Sequence, residues 1–227
     1  MVNIVKDIVP KEKWELKCPY GMVADFFVIH NTSNDASAKN EVAYMKRNDA
    51  QTGFHFAIDD VEVRQVIPID RNAWHAGDGA KGEGNRKGIG IEICYSKSGG
   101  ERFEKAEEKA AEFVAEKLIE FGWGIDRVKK HQDFSGKYCP HRTIDMGWER
   151  FLRKVELYMD LLHRVEVLEK STEKVYNYTM EIPDWGRPTI QKLLDKGLYK
   201  GESENNLNLP ENLLRILVIN DRAGLYD

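Results

Sequence analysis

Three residues far apart in the chain carry the side chains of a hydrolytic metal centre: His30, His131 and Cys139. Two imidazoles and one thiolate are a zinc ligand set, and three protein ligands leave the fourth tetrahedral position free for water. That open position is where a hydrolysis would take place. A lone histidine is more often a packed or surface residue than a ligand, so the neighbours must carry the reading. The stretch Val23 to Thr32 reads as a buried strand ending in polar residues, and a strand end holds a ligand rigidly while leaving it accessible. Glu92 adds a charge inside the otherwise apolar Gly90-Ile91-Glu92-Ile93, where a carboxylate is costly unless it faces a polar cavity or an ionic partner. Lys137 lies two residues before Cys139, so on an extended segment both side chains point the same way.

The elements that must position these groups alternate. Ala24 to Ile29, Phe54 to Asp59, Val61 to Pro68 and Ile89 to Tyr95 read as strands, with Ile58-Asp59-Asp60-Val61 a tight polar turn between an antiparallel pair. Glu41 to Asn48 and Phe103 to Phe121 read as helices. The second carries an apolar stripe of Phe103, Ala106, Ala110, Phe113, Val114, Leu118 and Phe121, and Gly122 and Gly124 end it. The fold class is therefore α/β, a mixed central sheet flanked by helices.

A chain of 227 residues has room for one full domain and a small second unit. The net charge of −4 and a hydrophobic content of 41 % suit a globular protein and give no basic patch for nucleic acid. No run approaches the ~20 apolar residues of a membrane span, and the charges within Met1 to Pro10 interrupt what a signal peptide would need. The expectation is synthesis in the cytoplasm without a signal peptide. Three cysteines are an odd number, which disfavours a disulfide framework. Cys94 reads as a small apolar strand residue, and Cys18 is equally unremarkable.

Five ordered blocks carry a resemblance: Phe27-Val28-Ile29-His30-Asn31-Thr32, Gly53-Phe54-His55-Phe56-Ala57-Ile58, Ala73-Trp74-His75-Ala76-Gly77, Gly88-Ile89-Gly90-Ile91-Glu92-Ile93, and His131-Gln132-Asp133 with Gly136-Lys137-Tyr138-Cys139-Pro140. In this order they resemble the signature blocks of the type 2 N-acetylmuramoyl-L-alanine amidases, zinc hydrolases of bacterial peptidoglycan found as phage endolysins and bacterial autolysins. The resemblance covers roughly residues 1–160. It implies Zn²⁺ on His30, His131 and Cys139, Glu92 as general base, and Lys137 as stabiliser of the oxyanion. It also implies a substrate groove bordered by Asn31, Trp74 and His75, and action on the cell wall after release from the cell that makes the protein. Phe54 stands where some relatives place a catalytic tyrosine, and a phenyl ring cannot donate a proton. Of the other histidines, His55 reads as packed beside the site, His141 as near it or on a loop surface, and His163 as solvated. Two rival readings share these features: a peptidoglycan-binding protein of the same fold without activity, and a zinc metallopeptidase of the peptide cross-links.

Beyond the catalytic region, Trp148 to about Val175 reads as one long helix. Phe151, Leu152, Val155, Tyr158 and Met159 would pack on the catalytic domain, and Leu161, Leu168 and Val175 recur at steps of seven. This places a helical linker at 161–180, with self-association through it or through the following unit as one use. Residues 181–227 read as a small helical module, with apolar stripes Ile190, Leu193, Leu194, Leu198 and Leu213, Leu214, Leu217, Val218 around the polar loop Gly201 to Asn208. The spacing of Trp185, Gly197, Gly201, Leu209-Pro210, Arg215 and Arg222 weakly resembles a single S-layer-homology-type repeat, which implies a cell-wall-binding role.

Overall fold

The apolar run ending at His30 becomes the strand around which the sheet is built. The computed structural model describes residues 2–171, 174–203 and 206–227, the helix end at 169–171 by its backbone alone. In chain order the first unit contains β1 (Ile4–Lys6), α1 (Trp14–Lys17), β2 (Phe26–Asn31), α2 (Ala38–Arg47), β3 (Phe56–Ile58), β4 (Val63–Gln65), α3 (Glu83–Lys87), β5 (Gly88–Ile93), α4 (Gly100–Phe121), β6 (Val128–Lys130), α5 (Gln132–Ser135), α6 (His141–Asp145) and the first part of α7 (Trp148–Ser171). The sheet order is β1-β4-β3-β5-β2-β6. Only the β3–β4 neighbours run antiparallel, which makes the sheet mixed. All six residues of β2 are buried, as expected of a strand paired on both edges within a helix-covered sheet.

Local chemistry explains the flanking elements. Asp59 closes the β3–β4 turn by accepting from the amides of Val61 and Glu62, both at 2.8 Å, and its second oxygen accepts from Ala38 N at the start of α2. One carboxylate thus fixes a hairpin and a helix N-terminus together. The stripe expected on α4 is buried in the core from Phe103 to Leu118, with Phe121 half-buried against it, and Gly122 ends the helix at φ +67°, with Trp123 N bonded back to Leu118 O. Phe151 and Val155 of α7 are fully buried in this core. Cys94 and Cys18 are buried free thiols.

The chain divides into two units, Met1–His163 and Arg164–Asp227, the boundary falling within α7. The second contains β7 (Val175–Tyr176), α8 (Arg187–Asp195), β8 (Leu209–Pro210) and α9 (Glu211–Arg222). Its core is Tyr176, Ile182, Ile190, Leu193, Leu207, Leu209, Leu214 and Val218. Three sequence expectations are corrected here. Val175 lies on β7, antiparallel to β8, so Leu161, Leu168 and Val175 do not share one helical seam. Because Tyr176 is buried in the second core, that unit begins before residue 181 and the expected linker is shorter than 161–180. Residues 172–173 of that linker and 204–205 of the expected polar loop lie outside the described residues. The stripes also narrow, since Leu198 and Leu213 are exposed. Among the described residues no helix is long and apolar enough to cross a membrane.

Candidate active site

Parallel pairing brings the C-terminal ends of β2, β5 and β6 side by side. His30 stands opposite Glu92, and the β2–β6 register, which pairs Ile29 with Lys130, sets His131 beside His30. His131 N donates to Ile29 O at 3.3 Å as the strand ends. The chain then makes the single turn of α5, reverses at Gly136 (φ +73°) and is tied back by Gln132 N donating to Cys139 O at 2.9 Å. That loop returns Cys139 Sγ to 3.9 Å from His30 Nδ1. One ligand atom from each of His30, His131 and Cys139 falls within 4.8 Å of the others. Tetrahedral zinc would hold such atoms about 3.3–3.6 Å apart, so the cluster is slightly wider than the bound arrangement. Neither ring nitrogen of His131 finds a hydrogen-bond partner among the described residues, although both are buried. A buried, unpartnered imidazole aimed at a second imidazole and a thiol is what a metal ligand set looks like before its ion is counted.

The electrostatics agree. Burial, then His75 and His131, hold His30 well below the usual imidazole value, and burial followed by Lys137 lowers His131. Both rings are therefore neutral at pH 7 with lone pairs to offer. Burial and then the Glu92 carboxylate push the Cys139 thiol up to about 11. Glu92 is itself raised to about 8 by burial and then by Glu41, against the pull of Lys137. One Glu92 oxygen is buried without a hydrogen-bond partner. This is a pocket rich in proton acceptors and short of positive charge, which a divalent cation would correct.

The cluster opens into a cleft of about 240 Å³ that also exposes Phe54, Trp74, His75 and Lys137. It runs into a wider lobe of about 530 Å³ past Thr52 and Trp74. The two lobes share Thr52, Trp74, His75, His131 and Lys137 in their walls.

Residues 20–142 match the family model described as N-acetylmuramoyl-L-alanine amidase. The chain belongs to this amidase family. Amidase CwlA of Bacillus subtilis (strain 168) is 61 % identical over 146 residues, covering 64 % of this chain and 54 % of CwlA. XlyB of the same organism is 57 % identical over 156 residues, covering 68 % and 49 %. The chain thus spans about half the length of the curated relatives it matches. The solved structure of PlyL superposes with a TM-score of 0.66 at 48 % identity, covering 68 % of this chain and 97 % of PlyL.

Within this amidase fold, the residues read from the sequence divide by what they touch. His30, His131 and Cys139 come together, with Glu92 across the strand and Lys137 exposed at the mouth of both lobes. Trp74 borders both lobes while its Nε1 donates to Leu16 O at 3.0 Å. Asn31 lines the cleft, and its carboxamide is engaged inside the protein. It is 5 % exposed, its oxygen accepts from the amides of Arg142 and Thr143, and its nitrogen donates to His30 O and Thr143 Oγ1. A carboxamide offers two acceptor and two donor positions, and all four are occupied within the protein. Asn31 therefore caps α6, the helix that follows Cys139-Pro140. His75 borders the groove, but both of its ring nitrogens face protein partners. His55 is buried beside it, and His141 Nε2 lies 3.3 Å from Ser96 O. Sequence reasoning missed Glu41, which lines the cleft and receives a hydrogen bond from Asn34 at 2.6 Å. Nothing in its helical context marks it out.

Asn31→Ala should lower unfolding stability by about 1–3 kcal/mol through the lost cap and unsatisfied amides at α6. Urea unfolding of the metal-free protein checks this, and an unchanged midpoint would dismiss the capping role.

Proposed function

We propose that this chain is a peptidoglycan hydrolase of the endolysin kind, cleaving the amide bond between N-acetylmuramic acid and L-alanine with one zinc ion as cofactor. The observation that carries the reading is the meeting of His30, His131, Cys139 and Glu92 at the ends of three parallel strands, in a chain of the amidase family. The donor set fits zinc: two neutral imidazoles, a thiol, and a buried histidine lacking other partners. Bound there, the ion would supply a water ionised near neutral pH and polarise the scissile carbonyl.

The protein's own groups supply the rest. Glu92 faces the cleft from the strand position beside His30, and its raised affinity for protons suits a group that takes one from the attacking water and hands it to the departing amine. Lys137 places an ammonium at the cleft mouth, where it stabilises charge growing on the carbonyl oxygen. Phe54 offers no proton, which puts more of the acid-base work on Glu92. Trp74 walls both lobes and orients a chain-like substrate along the groove. The peptidoglycan-binding reading without activity is disfavoured by the retained Cys139. Mass spectrometry of fragments released from purified wall distinguishes amidase from cross-link peptidase by the new termini.

Zinc uptake must strip the proton from Cys139, and a cation beside Glu92 also lowers that carboxyl. Calorimetry at pH 7 in buffers of different ionisation enthalpy should give about one to two protons released per zinc, falling toward about one in Glu92→Gln. Chelation should abolish turnover and zinc restore it, whereas an active metal-free protein would dismiss the cofactor.

Glu92→Gln should keep the fold and the zinc yet lose on the order of 10²-fold or more in kcat. Near-native turnover by this variant would remove the acid-base role from Glu92.

We further propose that the second unit targets the enzyme to the wall. Its support is a core of its own, from Tyr176 to Val218, and the weak spacing resemblance to a wall-binding repeat. Residues 1–163 should fold and cleave soluble muropeptide at the full rate while losing much of their lysis of intact cells, most at low enzyme, because tethering raises local concentration. Equal lysis by the fragment and the full chain at every dose would dismiss targeting.

A further inference from the structure

His75 lies between His30 and the backbone of β5. Its Nε2 is 3.1 Å from the carbonyl oxygen of Gly88, and its Nδ1 is 3.0 Å from His30 Nε2. A carbonyl oxygen can only accept, so the proton of the neutral His75 ring sits on Nε2 and is donated to Gly88. Its Nδ1 then has a lone pair and no hydrogen. The hydrogen between the two rings must therefore belong to His30 Nε2, which leaves the His30 lone pair on Nδ1. That is the atom facing Cys139 Sγ at 3.9 Å.

The ring that imposes this order is itself held in place. A Cβ on Gly90 would lie 2.8 Å from His75 Cγ, so the imidazole rests on bare backbone where any side chain would displace it. Gly90 N donates to His55 Nδ1 at 2.9 Å, and His55 Nε2 is 2.9 Å from Arg71 O, which fixes that second ring against the same strand. The amides of His75 and Ala76 both donate to Asn85 Oδ1 at 2.8 Å and clamp the backbone beneath.

We propose that His75 is a positioning residue that selects the metal-binding tautomer of His30, passing the polarity of the Gly88 carbonyl through two imidazoles to the His30 Nδ1 lone pair. A hydrogen bond from the far side of a ligating imidazole fixes its orientation and raises its basicity, and losing such a partner typically costs 10–100-fold in metal affinity. The proposal rests on the zinc reading above and adds to it a residue that never touches the ion.

The test uses the zinc-loaded full chain. Long-range proton–nitrogen correlation spectra of the imidazoles should show His30 protonated on Nε2 and coordinated through Nδ1, and His75 protonated on Nε2. A His30 ring coordinated through Nε2, or a His75 ring protonated on Nδ1, overturns the proposal. In parallel, zinc affinity is measured by competition with a chromogenic chelator. His75→Leu, which fills space without an acceptor, should weaken zinc by about 10–100-fold. His75→Asn, whose amide oxygen can stand near the place of Nδ1, should recover most of that loss. Leucine binding zinc as tightly as histidine, or asparagine as weakly as leucine, refutes the relay. A wild-type chain that binds no zinc would instead refute the metal centre itself, so the two failures are distinguishable.

Discussion

Everything in the site depends on the register of one strand. β2 is hydrogen-bonded to β5 on one side and to β6 on the other, both parallel, and this pairing sets His30 against Glu92 and beside His131. A slip of one residue in either ladder would turn His30 toward the opposite face of the sheet. Such a slip would also exchange the side chains of β2 between two packed faces, since all six of its positions are buried. The hydrophobic effect that fixes the fold is thus the same force that fixes the ligands.

The site concentrates buried polar atoms that lack partners. Glu92 with one unpartnered buried oxygen, and His131 with two unpartnered nitrogens, each cost free energy, and among the described residues only Asn72 Nδ2 and Arg86 Nε share that state. The shifts of Glu92 and Cys139 toward their protonated forms express that cost. A cation would relieve all of these at once, which is why the arrangement makes sense as a site and not as a core.

Legibility from the sequence followed the strength of the local signal. β2, β5 and α4 were readable because long apolar runs and a helical stripe carry their own evidence, while the grouping of His30, His131 and Cys139 needed the ordered family blocks as well as their residue types. β6, which delivers His131, was not, because Val128-Lys129-Lys130 has a single apolar residue and pairs on one edge only. β7 was hidden for a related reason: Val175 continued a helical spacing by coincidence, while the burial of Tyr176 depends on Leu209, 33 positions further on. The capping contacts of Asn31 were hidden because its partners, Arg142 and Thr143, are 111 and 112 positions away. The interior glycine at position 90 was the one overlooked signal, since glycine inside a strand marks a close approach.

The grip of Asn31 on α6 also bears on the order in which the chain can assemble. His30 and its neighbour sit near the start, while Cys139 and the amides that Asn31 holds come more than a hundred residues later, so a very long loop must close before either is in place. Contacts of such sequence separation are slow to form. During synthesis the strand bearing the first ligand waits, apolar and incomplete, until the segment carrying α6 emerges to meet it. The cluster of His30, His131 and Cys139 is therefore a late product of folding, since a nascent chain must reach Cys139 before the cluster can close.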